Sequence, residues 1–359
     1  MNKKFLALGA VALASATVLS GCSAGGDASS TSASGSGSGT LSIYAWAGEI
    51  PDSVIQGFED ETGITVTVDT FDSNETMISK LAAGNSGYDV VEPSQYAVQL
   101  MVDRDLVAEI DQSKLEGFDN LAEKFVDPSF DPGNAHSIPW AWGTTGILYN
   151  EACTGAPVTG WSDMWNADYT GKVYMLDNML SAYIAGLQVN GLSATTTSQS
   201  DVETATNSLL EQKSVLAGYN STNYADLVGS GDACIAQAYS GTTAAKAVAA
   251  NPDVHYIIPE EGGTLWTDSF SIVNGTQNED AAYKWLNYTL RPEVAALLTD
   301  DASLASTNAA ALPLVADQTQ VENAAIYAPA DSLTKSEFIV DPGDALAYFQ
   351  DGWTRIRAS

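Results

Sequence analysis

From Leu41 to Trp46 small or aliphatic residues alternate with aromatics (Leu41-Ser42-Ile43-Tyr44-Ala45-Trp46), and from Ile64 to Val68 apolar and polar residues alternate with period two. That is the pattern of strands burying one face. Between them Val54, Ile55 and Phe58 form a stripe at helical spacing, with Pro51 in the expected first turn and Gly63 as the stop. Asn74 is placed to cap a second helix carrying Met77, Ile78 and Leu81, and Tyr88-Asp89-Val90-Val91 reads as a short strand ending at Pro93-Ser94. Strand, helix, strand, helix, strand predicts a parallel sheet with helical crossovers.

The alternation returns after residue 145. Strands are expected over Thr145–Asn150, Lys172–Met175, Ala233–Tyr239, His255–Ile258 and Ser269–Val273, with helices near Ser181–Leu187 and Val202–Glu211. Asp280–Leu290 places Ala281, Trp285, Leu286 and Tyr288 at helical spacing before Arg291-Pro292. The chain has 359 residues, more than one core usually covers. The economical reading is an α/β fold of two lobes, each a sheet flanked by helices.

The N-terminus departs from this pattern. Lys3 and Lys4 precede an uncharged run from Phe5 to Leu19, then Ser20, Gly21 and Cys22, which reads as a signal peptide over residues 1–21. The run is too short to span a bilayer as a helix. Leu19-Ser20-Gly21-Cys22 resembles the lipobox of bacterial lipoproteins, which implies lipidation of Cys22 after cleavage and dual acyl chains sufficient for attachment. Residues 22–40 are rich in Ser, Gly, Ala and Thr and read as a flexible tether. Of the remaining cysteines, Cys153 and Cys234, spacing alone leaves a disulfide and two buried thiols equally open.

Charge narrows the function. With 45 acidic and 14 basic residues the net charge is −31, which excludes a nucleic-acid backbone as partner. The 45% apolar and 16% charged composition is that of a globular body and not of an acidic disordered one. Only His136 and His255 are available, so a histidine triad has almost no candidates and a multi-histidine zinc site none. No nucleophile elbow, HExxH, Walker A or dinucleotide fingerprint occurs in the body. No metal or cofactor is expected. A carboxylate-pair hydrolase is not excluded by composition, although most individual acids are solvated surface charges.

Aromatic residues beside turns stand out. Trp46 closes the first strand, Tyr96 follows Pro93-Ser94, Tyr239 precedes Ser240-Gly241, and Trp266 lies two residues before Asp268. Ligands of open α/β sheets bind outside the carboxyl ends of strands, so these residues are expected to converge on a cleft. Aromatic faces with a carboxylate suit an organic cation. Trp140, Trp142, Trp161, Trp165, Trp285 and Trp353 are assigned to packing.

From about Leu41 onward the sequence resembles the substrate-binding proteins of spermidine/putrescine ABC transporters. The likeness rests on Tyr44-Ala45-Trp46, Ser73-Asn74-Glu75-Thr76-Met77, Tyr88-Asp89-Val90-Val91 with Pro93-Ser94 and Tyr96, Ser137-Ile138-Pro139 with Trp142-Gly143-Thr144, and Trp161 through Trp165 with Tyr169 and Gly171. Later signs are Glu261-Gly262-Gly263, Trp266, Asp268-Ser269 and Leu290-Arg291-Pro292-Glu293-Val294-Ala295. It implies a two-lobe periplasmic-binding-protein fold of type II whose hinge strands let the halves close over a ligand. Lobe 1 is expected over 41–144 and 269–312, and lobe 2 over 145–268 and 313–359. The resemblance assigns Trp46, Tyr96 and Trp266 to aromatic walls, Asp268 to the amine-receiving carboxylate, and Ser221 to a polar position; Ser94 is a further candidate. Tyr239 stands where the family commonly has a Trp.

Departures from the family accompany it. Glu49 replaces a tyrosine, Leu304 another aromatic, and Asn178 and Ser181 stand where acids commonly meet a second amine. Glu49 is a candidate to restore a carboxylate from the opposite lobe, and a ligand with one cationic centre, amino or quaternary ammonium, is the alternative. The expected protein is therefore a non-enzymatic, monomeric receptor on the outer face of the cytoplasmic membrane, anchored only by lipid. It would capture a small cationic amine and pass it to ABC permease subunits.

Overall fold

A computed structural model describes residues 39–359. The expected signal peptide, Cys22 and nearly all of the tether lie outside the described residues; the first strand already starts at Thr40. The strands are β1 (Thr40–Trp46), β2 (Thr65–Phe71), β3 (Val90–Val91), β4 (Ile138–Asn150), β5 (Val173–Met175), β6 (Leu216–Tyr219), β7 (Ile235–Tyr239), β8 (Val254–Ile257), β9 (Thr264–Ile272), β10 (Ala305–Ser306) and β11 (Glu337–Phe338). Their order is β2-β1-β3-β9-β4-β7-β5-β6, with β8 and β10 also on β4 and β11 on β9.

The predicted parallel pairing holds within β2-β1-β3 and again within β7-β5-β6. Two antiparallel strands join these groups. β9 pairs with β3 at its C-terminal end and with β4 along most of its length, while β4 pairs β9 first and then β7 and β8. Every position of β4 is buried, so it shows no period-two signal in its first half, and its start at Ile138 precedes the predicted Thr145 by seven residues' worth of apolar and small side chains. β9 likewise begins at Thr264 and not at Ser269, which puts Trp266 and Asp268 inside a strand instead of beside a turn.

The apolar interior divides accordingly. Leu41, Ile43, Phe58, Trp140, Phe270 and Trp285 belong to a cluster on the β1 side, whereas Ile147, Trp161, Met175, Tyr183, Leu209 and Ile356 form one on the β5 side. β4 contributes to both. Trp140, Trp142, Trp161 and Trp285 are buried and Trp165 and Trp353 half-buried against the β5-side cluster, in line with their assignment to packing.

Local boundaries follow from caps. The helix Asp52–Thr62 starts after Pro51, its N-cap, and ends on Gly63 at φ 69°, where a side chain is disfavoured. For the helix Asn74–Ala82 the cap is Ser73, whose Oγ accepts from the Thr76 amide at 3.2 Å; Asn74 is not the cap. Instead buried Asn74 accepts the Ser94 amide at 3.1 Å and holds the turn after β3. Cys153 and Cys234 form a disulfide with Cα atoms 5.1 Å apart and 81 positions apart in sequence. It staples the short helix Glu151–Thr154 after β4 to the residue just before β7, and closing a loop of that length is worth roughly 4.5 kcal/mol in the chain-entropy account.

Candidate functional site

Along β9, alternate residues face the same way, so Trp266 and Asp268 share a side where β9 runs against β4. Gly143 of β4 is the partner of Trp266. A Cβ there would lie 2.2 Å from the Trp266 ring and 2.5 Å from Ser240 Oγ, so only glycine leaves room for the indole. Its N–H donates to the Thr144 carbonyl at 3.2 Å, and Ser240 Oγ accepts the Thr144 amide at 2.9 Å. Gly143→Ala is therefore expected to displace Trp266 and shift its fluorescence emission, with at least about a tenfold loss of ligand affinity; an unchanged spectrum and unchanged affinity would refute this packing.

Asp268 is 4% exposed. Ser94, which opens the helix Gln95–Asp103, does not use its side chain as a cap; its hydroxyl donates to Asp268 Oδ1 at 2.5 Å. The backbone reinforces this contact, since the Ser269 amide donates to the Pro93 carbonyl at 3.0 Å. Buried Gln95 adds a second tie, accepting the Thr267 amide at 3.0 Å and donating to the Ile339 carbonyl at 3.1 Å. The end of β3 and the middle of β9 are thus held together through polar groups, and Asp268 is fixed by residues of both.

Two further carboxyl groups meet Asp268. Glu49, in the loop after β1, has a buried Oε2 that accepts no hydrogen bond, and this loop is fixed by Trp140 Nε1 donating to the Glu49 carbonyl at 3.1 Å. Glu92 is fully buried; its Oε2 accepts the Trp46 amide at 3.1 Å and its Oε1 accepts nothing. Burial drives the Glu49 carboxyl well above the ordinary range, and the charges of Asp268 and Glu92 add to it. Glu92 is raised well above that range as well, by burial and then by Asp268, against a lowering by the Trp46 amide. For Asp268, burial lifts the pKa to about 7 although Ser94, Trp46 and Glu49 pull it down. The Trp46 indole N–H lies on that side without a hydrogen bond of ordinary geometry. None of the ion pairs among the described residues involves these three acids.

The aromatic residues come from both sides. Trp46 ends β1 and packs on Phe71 with ring centroids 4.5 Å apart. Half-buried Tyr96, in the first turn after Ser94, points its hydroxyl to Glu75 at 3.4 Å. Tyr239 ends β7, and its hydroxyl shares a 2.9 Å hydrogen bond with Ser181 Oγ. Burial raises both phenols, Tyr239 to about 12, and each also feels the charge of Asp268 and so lies near it.

Trp46, Glu49, Ser94, Tyr96, Tyr239 and Asp268 are therefore brought together, with Trp266 on the same face as Asp268. Ser181 joins through Tyr239. Asn178 and Ser221 are placed differently: Asn178 Oδ1 is used as an N-cap, accepting the Ser181 amide at 2.9 Å, and exposed Ser221 accepts the Asp177 amide at 2.8 Å. Asp177 is itself paired with Arg357 at 2.8 Å. Glu49 lies close enough to Asp268 and Glu92 to feel both charges, away from the helix cap of Asn178 and Ser181. Leu304 is buried core, against Gly241. To the expected Asp268 and Glu49 a third acid, Glu92, is added. Glu92 escaped the motif reading, yet it left a signal: a lone acid directly after the apolar pair Val90-Val91, where a strand buried on both faces offers it no water.

Among the described residues no group of His, Cys, Asp and Glu is arranged to hold a metal ion. What the arrangement can do is bind: acids without a basic partner, with aromatic side chains beside them, favour an incoming cation that brings N–H donors.

Residues 53–328 match the family model described as bacterial extracellular solute-binding protein. The chain is 32% identical over 321 residues to the spermidine/putrescine-binding periplasmic protein of Escherichia coli, covering 89% of this chain and 92% of that protein. A putrescine-binding periplasmic protein of the same organism is 34% identical over 315 residues, covering 82% and 85%. Among solved structures, a spermidine/putrescine ABC transporter substrate-binding protein from Streptococcus pneumoniae superposes with a TM-score of 0.80 at 29% identity, over 89% of this chain and 99% of that one. A lipoprotein of Treponema pallidum gives the same TM-score at 26% identity, over 89% and 100%.

Proposed function

Because this chain belongs to the bacterial extracellular solute-binding protein family, we propose that it is the receptor of an ABC importer for a small cationic amine of the putrescine and spermidine class. The fold is the two-lobe, type II arrangement of periplasmic binding proteins. One observation carries the choice of ligand: Asp268 is buried, has Trp46, Tyr96, Tyr239 and Trp266 as neighbours, and has no basic side chain to pair with among the described residues. An ionised carboxylate in such a place is costly unless a cation arrives.

A primary ammonium fits better than a quaternary one. It offers N–H donors to the unpartnered oxygens of the acids, which methyl groups cannot satisfy. The alkyl body would lie along Trp266, Trp46 and Tyr239, with Tyr96 closing the acid end. At the other end Asn178 and Ser181 already serve the helix cap and Tyr239, so a second ammonium there would meet neutral groups and solvent.

β4, shared by the two apolar clusters, and β9, paired along it, would act as the hinge, with lobes over 41–144 and 269–312 and over 145–268 and 313–359. No helix among the described residues is long and apolar enough to cross a membrane; attachment would come from lipidated Cys22, and the cargo would pass from a monomeric receptor to the permease. The test is a thermal-shift and calorimetric panel of mono-, di- and triamines, quaternary ammonium compounds, sugars and organic acids with the purified protein. Primary amines should raise the melting point, by an amount corresponding to about 2.7 kcal/mol at 100 times the dissociation constant. Stabilisation by acids or neutral solutes alone, or turnover of a solute to product, would sink the reading.

A further inference from the structure

Glu92 corresponds to none of the residues to which the family likeness points, yet it is among the least exposed acids of the body. A carboxyl with one oxygen satisfied by the Trp46 amide and the other by nothing is unfavourable at the end of an apolar strand. The groups beside it are the Trp46 amide from β1, Glu49 from the following loop and Asp268 from β9, with Ser94 of the turn after β3 bonded to Asp268 and the Tyr96–Glu75 pair farther along the helix that Ser94 opens. None is basic. Such a cluster is tolerable in two ways: its members keep protons, or a cation enters.

We propose that Glu92 is a third acid of the amine site, its free Oε1 receiving an N–H of the ammonium beside Asp268, and that seating the amine there expels a proton from the Glu49–Glu92–Asp268 cluster. This rests on the amine reading. In the exchange one carboxyl O–H bond breaks and its proton leaves to the buffer; the ammonium keeps all its hydrogens and no other bond changes. The burial that raises the three carboxyls supports it, since an unliganded cluster near neutral pH then holds protons that a cation displaces. Affinity accordingly rises with pH until the cluster is ionised without help from the ligand.

The experiment is calorimetry of putrescine binding to the full chain in phosphate and in Tris, whose ionisation enthalpies differ, at pH 7. The wild type should release on the order of one proton per amine, while Glu92→Gln should lower that number by half or more and weaken binding by about tenfold. Gln keeps an acceptor for the Trp46 amide, and Glu92→Asp, which keeps the charge but draws it back by one methylene, should release protons yet bind less tightly. If no amine binds the wild type, the amine reading itself fails. If amines bind with the same heat in both buffers, or Glu92→Gln keeps both proton count and affinity, the amine reading stands and the role of Glu92 is overturned. The wild-type buffer comparison decides the proton release even if a variant does not fold.

Discussion

Asp268→Asn is expected to weaken putrescine binding by at least tenfold and, at the same time, to stabilise the unliganded protein above neutral pH. The first effect follows from losing the charge that receives the ammonium, since charge-assisted hydrogen bonds contribute about 1.5 to 3 kcal/mol. Asn retains an oxygen for the Ser94 hydroxyl, so the contact between β3 and β9 survives. The second effect is a matter of linkage. The folded carboxyl titrates at about 7, against about 3.9 when unfolded. Its contribution to stability is complete below the unfolded value and disappears as pH rises from there through the folded one. Three pH units correspond to about 4 kcal/mol, of which about half survives once the proton is shared with Glu49 and Glu92, so a gain of roughly 2 kcal/mol is expected at pH 8. Denaturation curves of both proteins should converge near pH 4 and separate at pH 8. Calorimetry giving wild-type affinity for the variant would remove Asp268 from the site.

Trp266→Ala is expected to abolish detectable amine binding. The ring stands next to Asp268 on one face of β9, seated over Gly143 and oriented by its hydrogen bond to the Thr144 carbonyl. Removing it takes away a π face worth about 0.5 to 2 kcal/mol toward a cation and a wall that keeps water from the acids. The surrounding strands do not close the gap, because Gly143 carries no side chain and β4 is buried along its whole length. Trp266→Phe keeps the face and is expected to bind within about tenfold of wild type. Because Trp266 is only half-buried, the Ala variant should still fold, and circular dichroism checks this. Wild-type affinity in the Ala variant would refute the aromatic wall.

Residue patterns alone made the β1 side of the molecule readable. β1, the helix after Pro51, β2 and the short strand before Pro93 each carry a period or a stop signal that local sterics impose. The same rules failed at β4 and at the start of β9. β4 is buried along its whole length and β9 from Thr267 onward, so their side chains need not alternate, and residues such as Thr144, Gly143 and Thr267 look like loop residues until their partners are known. Asn74 and Ser73 illustrate a smaller failure. Either can cap a helix; Asn74 is drawn away because the Ser94 amide, 20 positions on, needs an acceptor.

For the site, residue types and family likeness pointed to Asp268 and to Trp46, Tyr96, Tyr239 and Trp266 as a cation's surroundings, because aromatic faces and an acid are chemistry that a side chain carries wherever it lies. The number of acids was another matter. Glu49 and Glu92 are separated from Asp268 by 219 and 176 positions in the chain, and only the pairing of β3 with β9 and the loop after β1 bring their charges to one point. The chain's composition and local periodicity thus settled that this is an α/β body not suited to nucleic acid, while the small solute was implied by the aromatic positions and the family likeness. Tertiary structure alone decided that three carboxyls become neighbours, two of them buried and the third with a buried oxygen, since burial and mutual repulsion are properties of a place and not of a residue.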